Sequence, residues 1–414
     1  MLKKVLTCAL VMGVSAIATE SVARSHIKKT GATDSHTPKV QFSGYLRAAA
    51  LGVGQKVRSG DNAARFMSNG DLTMNAGGMT NNGITYGALA VIELDRAKST
   101  KDRISEAYVY FSSDMLGSIQ LGDTNGVGTL MMYDGTDVLG GIGGFGGQVD
   151  KVVNVTRGVD INQDTSNIGS SRATKISYIS PVSGGWQLGL SYTPDTQNYG
   201  RLESGRKGYN SATDPQPLNI ADRGIFVQNK LETALAYNRA FGPYSVGLFG
   251  TYKTGKVKGN RRGLHGVSDT KMHHLDTWQL GTLVDYNNWQ IGGSYFDNGK
   301  SGMPKSKNFT NTNGFNFAVG YGMGPTSVAV GYTQTERTVT SGKAKADMAS
   351  ITVDHSLAKG LVAFAEANYF SFKSPTAHIT STELGTDNYP LDQRPSTNTD
   401  NHGTVFVLGT KVMF

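Results

Sequence analysis

The chain has 414 residues, 53 of them glycine (about one in eight, against a usual one in fourteen), and only 17% are charged. With 38% apolar or aromatic residues and a scattered net charge of +8, it lacks the apolar share of a multi-domain helical enzyme and the concentrated basic face of a nucleic-acid binder. The glycines have no period of three, which excludes collagen, and aromatic residues recur along the whole chain, which argues against disorder.

The first element is a targeting segment. Lys3 and Lys4 precede a mostly apolar run over residues 5–18, and Ala16-Ile17-Ala18 or Ser21-Val22-Ala23 supplies a small-x-small cleavage pattern. This order reads as a signal peptide over residues 1–23, since the apolar run is shorter than the roughly 20 residues of a spanning helix. Cys8 precedes most of that run and so is not placed for lipoprotein processing. Cleavage after Ala23 removes Lys3, Lys4 and Glu20 and leaves 38 basic and 31 acidic residues, net +7, with no cysteine for a disulfide. Residues 24–39, with Arg24, Lys28, Lys29 and Lys39 and no apolar period, read as a basic periplasmic extension.

From there the chain alternates with a period of two. Val40, Phe42, Gly44, Leu46 and Ala48 alternate with Gln41, Ser43, Tyr45 and Arg47. Phe66, Leu72, Met74 and Ala76 then oppose Arg65, Asn69, Asp71, Thr73 and Asn75. The pattern predicts sixteen strands near 40–53, 64–77, 84–96, 103–112, 117–123, 173–180, 185–193, 229–240, 243–254, 274–286, 289–297, 313–322, 325–336, 346–356, 360–373 and 402–414. Short connections such as 181–184, 241–243 and 287–288 alternate with long ones at 124–172, 194–228, 255–273, 298–312 and 374–401.

Short turns at one end, long loops at the other and an even strand number are the signature of a transmembrane barrel. The expected fold is all-β: a 16-stranded antiparallel transmembrane barrel over residues 40–414. Tyr and Trp at strand ends suit an aromatic girdle, and the polar face implies a wet interior. Closure removes the strand edges that would otherwise aggregate.

Three stretches resemble the general bacterial porin family of Gram-negative outer membranes. They are the opening strand Val40-Gln41-Phe42-Ser43-Gly44-Tyr45-Leu46-Arg47, the hairpin from Glu106-Ala107-Tyr108-Val109-Tyr110-Phe111 to Leu121-Gly122-Asp123, and the terminal alternation ending in Phe414. The likeness is closest to alphaproteobacterial porins. It implies a homotrimer in the outer membrane, in contact with its lipid and lipopolysaccharide, that passes ions and small hydrophilic solutes. It also implies recognition of the terminal Phe414 by the barrel-assembly machinery.

The resemblance makes residues 124–172 the constriction loop, folded inward with its carboxylates facing a basic wall. Asp134 and Asp137 are the candidate carboxylates. Strict alternation points Arg47, Arg65 and Lys175 into the lumen, where opposed charges would set a transverse field. Arg103 and Arg172 sit where the family often has wall arginines, yet alternation turns both outward. Asp71, Glu93, Asp95 and Glu366 face inward by the same parity. The loop carries five acidic and three basic residues, net −2, so the overall charge does not give the ion selectivity. The run 140–147 reads as a close-packed turn.

No enzymatic chemistry emerges. A Gly-x-Ser-x-Gly elbow on a strand-to-helix turn is absent, and Asn298-Gly299-Lys300-Ser301 lacks both the earlier glycine and the following helix of a phosphate loop. His273 and His274 lie near Asp269 and Asp276, but adjacent loop histidines are more often solvated than metal-bound. The expectation is therefore a passive channel with no cofactor. The alternative is a plugged barrel serving as a rim phospholipase or protease, or as an adhesive surface, through loops 194–228 and 374–401.

Overall fold

A computed structural model describes residues 37–57, 63–94, 104–147, 149–154, 159, 161–162, 164, 172–196, 225–259, 271–303, 305, 311–339, 342–373 and 400–414. The described strands are β1 (Lys39–Gln55), β2 (Ala64–Met79), β3 (Thr85–Glu93), β4 (Ile104–Ser113), β5 (Gly117–Asp123), β6 (Thr174–Ile179), β7 (Trp186–Asp195) and β8 (Ile225–Phe241). They continue as β9 (Tyr244–Gly259), β10 (Leu275–Tyr286), β11 (Trp289–Gly299), β12 (Thr312–Met323), β13 (Thr326–Val339), β14 (Gly342–Ala358), β15 (Leu361–Lys373) and β16 (Asn401–Met413). Each pairs antiparallel with its chain neighbours, and β1 pairs with β16 to close the barrel. Closure runs to the last residue: Gly44 N–H donates to the Phe414 carbonyl at 2.8 Å, and Phe414 N–H donates to the Gly44 carbonyl at 3.0 Å. Residues 1–36, including the expected signal peptide, lie outside the described residues.

The period of two becomes an inside and an outside. Leu280, Leu248, Ile291 and Phe317 are exposed on the outer face, while Gln279, Phe249, Ser294 and Asn316 between them are buried. Aromatic pairs mark both margins of the outer band. Trp186–Tyr237, Tyr244–Tyr286 and Trp289–Tyr321 cluster at the short-turn end with ring centroids 4.4–4.8 Å apart. Trp278–Tyr295 and Phe315–Tyr332 lie toward the long-loop end. Eight steps along β10 separate Trp278 from Tyr286. At ~3.3 Å per residue and a tilt near 40° this is about 20 Å of height, close to the apolar band of an outer-membrane barrel.

Two hairpins run past the expected bounds: β8 starts four residues early and β9 ends five residues late, and β13 and β14 lengthen as well. β13 and β14 continue past 336 and before 346, leaving only residues 340–341 between them. A cross-strand ion pair sustains this extension, where Glu336 meets Lys343.

The interior also departs from a simple polar lumen. Apolar side chains of the connection after β5, including Val138, Leu139, Ile142, Phe145 and Val149, form one buried cluster with inward-facing Leu51, Met348, Phe364, Phe370 and Val407. The long connection therefore returns into the barrel and builds a core there against β1 and β12–β16. Sequence parity could not separate an inward residue facing water from one facing this segment.

Candidate functional site: the loop seated in the lumen

The segment between β5 and β6 begins with one helical turn, Val127–Leu130, against β6–β9. A second turn, Gly135–Val138, lies on β11 and β12, and a third, Gly144–Gly146, on β13–β15. Further on, Asn154 reaches the long-loop rim, where its amide donates to the Val57 carbonyl at 2.8 Å and its backbone N–H to Gln55 Oε1 at 2.9 Å. Asn162 turns back to accept from Asn316 Nδ2 at 3.0 Å.

The wall beneath this path is stripped of side chains. A Cβ at Gly292 would lie 2.5 Å from the Asp134 carbonyl oxygen and 2.9 Å from Val138, and one at Gly281 would overlap the Tyr133 carbonyl. Gly189, Gly247, Gly320 and Gly331 meet loop side chains in the same way. Much of the glycine excess thus serves close backbone approach. The turn over 140–147 is tight as expected, with Gly143 at φ 107° and Gly144 at φ 55°.

Charged and amide groups of the wall accept or donate at the loop backbone. Asp354 Oδ1 accepts from Gly141 N–H at 2.7 Å, Glu366 Oε2 from Ile142 N–H at 2.9 Å, and Thr352 Oγ1 from Gly140 N–H at 3.0 Å. Arg47 Nη1 donates to the Gly141 carbonyl at 3.2 Å, and its Nε to Asn69 Oδ1 at 3.0 Å. Lys175 ties the neck of the loop, because its ammonium donates to the carbonyls of both Thr124 and Ala173. Beside it Lys230 and Lys253 flank Glu232 at 2.9 and 3.6 Å, all three fully buried, with Gly126 of the loop packed on the Glu232 carboxylate. Removing one member of such a buried set leaves a charge without its partner, which is strongly destabilising.

The expected constriction residues fall into two groups. Arg47 and Lys175 do face inward, yet each is only 1% exposed beneath the loop. Asp134 and Asp137, at 0% and 8%, form a capping box on the Gly135–Val138 turn: Asp134 Oδ1 accepts from Thr136 N–H at 2.8 Å and Asp137 Oδ2 from Asp134 N–H at 2.9 Å. Asn316 Oδ1 accepts from Gly135 N–H at 2.8 Å and fixes that turn to β12. These four residues thus lie in the loop–wall contact, away from open water. Arg65 sits half-buried toward the long-loop end of β2. Arg103 and Asp95 lie outside the described residues.

Arg172 differs from its expected outward direction. It precedes β6 on the loop's return, where strand parity no longer holds, and its guanidinium reaches into the lumen. Nη1 lies 2.8 Å from Glu93 Oε1 and Nε lies 3.8 Å from Glu106 Oε1. Glu106 also accepts from Thr124 Oγ1 at 3.1 Å and Asn125 Nδ2 at 2.9 Å. Glu93 and Arg172 keep 40% and 42% of their side-chain surface open. Asp71 is the register partner of Glu93 on the same inward face. Lys230, Glu232, Lys253 and Asp354 were missed by sequence reasoning, although charged residues on inward rows in mid-barrel were the available signal.

In the loop itself, burial raises the Tyr133 phenol above the usual tyrosine value, an effect partly opposed by the Asn238 amide that donates to it at 3.1 Å. Among the described residues no group of His, Asp, Glu or Cys is arranged to hold a metal ion.

The sequence profile described as Gram-negative porin matches residues 7–375. An uncharacterized protein of Rickettsia typhi is 29% identical over 278 residues, covering 61% of this chain and 59% of the relative's length. An uncharacterized protein of Rickettsia conorii is 26% identical over 379 residues, covering 81% of this chain and 82% of that one. Among solved structures, the anion-selective porin from Comamonas acidovorans shares the fold with a TM-score of 0.58 at 16% identity, covering 91% of this chain and all of that one. The trimer form of OmpT, an outer membrane protein of Vibrio cholerae, aligns with a TM-score of 0.53 at 12% identity and the same coverage.

Proposed function

The chain belongs to the Gram-negative porin family, and on that premise we propose that it forms a water-filled outer-membrane channel for passive diffusion of ions and small hydrophilic solutes. The observation that carries this reading is the partly open Glu93–Arg172 pair inside the barrel wall, since a plugged lumen would bury or neutralise such charges. The loop packs against β6–β16 and β1, and passage runs along the arc of β2–β4. No catalytic step is assigned, and no cofactor is invoked.

A homotrimer belongs to the same proposal. β5 and β6 have only seven and six residues, fewer than the nine to eleven a strand needs to cross a bilayer. Their outer face carries Ile119, Leu121 and Ile176, which a second copy would cover. Export by a signal peptide over residues 1–23, contact with lipopolysaccharide, and delivery through the barrel-assembly machinery by the Phe414 end complete the reading.

Single-channel recording in a planar bilayer tests it. Stepwise ohmic openings, grouped in threes, are the expected result. A folded barrel that passes no current would overturn the channel and move attention to the external loops.

A further inference from the structure

The long connections differ in charge. Residues 255–273 and 298–312 carry five and three Lys or Arg against a single acid, Asp269. Residues 194–228 instead set four bases against four acids, and residues 374–401 hold one base and four acids. The two basic connections meet above β10 and β11. Lys305 N–H donates to the Lys271 carbonyl at 2.7 Å and His273 N–H to the Met303 carbonyl at 2.8 Å, a short ladder that sets Lys271 opposite Lys305. Gly255 of β9 pairs with Leu275 of β10, so Lys256 and His274 stand side by side one residue beyond that pair.

Like charges directly opposite across a ladder repel and weaken it. Lys256, Lys271, His274, Lys300 and Lys305 are all exposed, and none of the four lysines forms an ion pair with a described residue. Burial, and then the charges of Lys300, Lys305 and His274, hold the His273 ring below the ordinary histidine value, so the field at its position is positive. The two acids nearest along the chain are engaged elsewhere. Asp297 accepts from Gly299 N–H at 2.7 Å and from Asn311 Nδ2 at 2.9 Å, and Asp276 is hydrogen-bonded to the Tyr252 hydroxyl. The patch is therefore a cationic strip across three strand ends, with its charges turned to solvent.

Height decides what can reach it. Trp278 and Tyr252, paired in the register, mark the margin of the apolar band. His274 and Lys256 each lie four residues beyond, about 10 Å higher at ~3.3 Å per residue and a tilt near 40°, and Lys271 lies about 18 Å higher. The lipid headgroup layer is only about 5–8 Å deep on each side, so these cations stand above lipid phosphates. The described part of the strip has no Phe, Tyr or Trp on which bases could stack, as single-stranded nucleic acid requires. Its Met303 is buried, so it also lacks the apolar centre of a protein interface. We propose that Lys256, Lys271, His274, Lys300 and Lys305 form a docking strip for an acidic polysaccharide, a chain of sugars bearing sulfate or carboxylate groups, at the outer rim of the barrel. Only the outward direction of this rim rests on the outer-membrane reading above; the strip does not depend on conduction.

The test is binding of the full detergent-solubilised barrel to immobilised heparin at low salt. Wild type is expected to bind and to be released as salt rises, because screening acts strongly on exposed charges. Each Lys→Gln change at an exposed contact should weaken binding about two- to fivefold, and the four together (Lys256→Gln, Lys271→Gln, Lys300→Gln, Lys305→Gln) about tenfold or more. Lys359→Gln, exposed at the short-turn end, is the control and should bind as wild type. Heat-modifiable migration on gels confirms that each variant forms a barrel. Wild type that ignores heparin, or a fourfold variant that binds it undiminished, overturns the strip. Equal binding of desulfated heparin overturns recognition of the acidic groups, and tighter binding of a single-stranded oligonucleotide overturns the choice of polysaccharide. A purified barrel that binds while intact cells displaying it take up no labelled heparin on their surface overturns the outward placement of this rim and leaves the strip standing.

Discussion

Gly292→Ala probes how the loop is seated. β11 is paired at this residue with Leu283 of β10 and Ala318 of β12, so the wall cannot yield. The new methyl would stand 2.5 Å from the Asp134 carbonyl oxygen, about 0.9 Å inside ordinary contact at 3.4 Å, and the loop must back away by that amount. A shift of this size stretches the 2.8 Å bond from Gly135 N–H to Asn316 Oδ1 beyond hydrogen-bonding range. Overpacking costs about 1–3 kcal/mol and the lost bond about 1 kcal/mol, together about 2–4 kcal/mol against the seated state. At about 1.4 kcal/mol per tenfold, the unseated population rises by about 30- to 1000-fold. Thermolysin reads this directly, because Val138, Leu139, Ile142 and Phe145 become cleavable only when the loop leaves the wall. Cleavage of the folded barrel is expected to accelerate by that factor. Gly52→Ala, whose Cβ meets nothing within 4 Å, is the control. Equal cleavage rates for the two variants would refute the seating argument.

Asp134→Asn with Asp137→Asn removes the charge from a buried capping box but keeps an acceptor at both positions, and is expected to change loop seating by less than about 1 kcal/mol while leaving the reversal potential unchanged. A shift toward anions would instead return these carboxylates to the permeation path. Arg47→Met leaves the loop carbonyl of Gly141 without its donor and removes one of the cations near Asp354 and Glu366, Lys411 remaining near Asp354. A loss of about 1–3 kcal/mol is expected, measurable as a lower urea midpoint in detergent. Because burial raises the Tyr133 phenol, its contribution to loop seating is complete below the unfolded tyrosine value of about 10 and is lost as pH rises through the folded value. Thermolysin sensitivity should therefore climb above pH 10 in wild type and do so less in Tyr133→Phe.

The number, order and inside–outside sense of the sixteen strands were legible in the sequence. A strand places successive side chains on opposite faces, and lipid accepts only one kind of face. The same parity put Arg47, Lys175, Asp71, Glu93 and Glu366 inside, where the structure has them. It could not distinguish inward toward water from inward toward a loop. Lys175 and Asp134 became buried anchors because residues some 50 to 220 positions apart meet across the lumen, as Ile142 meets Glu366, and no local pattern encodes that path. Arg172 escaped parity for the opposite reason, since it stands in the loop just before β6, where alternation has no force. Local periodicity fixes what each strand can do by itself, through backbone geometry and solvent. Which inward charges meet water is decided only when the chain closes on itself and the loop covers part of the wall, because burial is a property of the whole contact and not of any one segment.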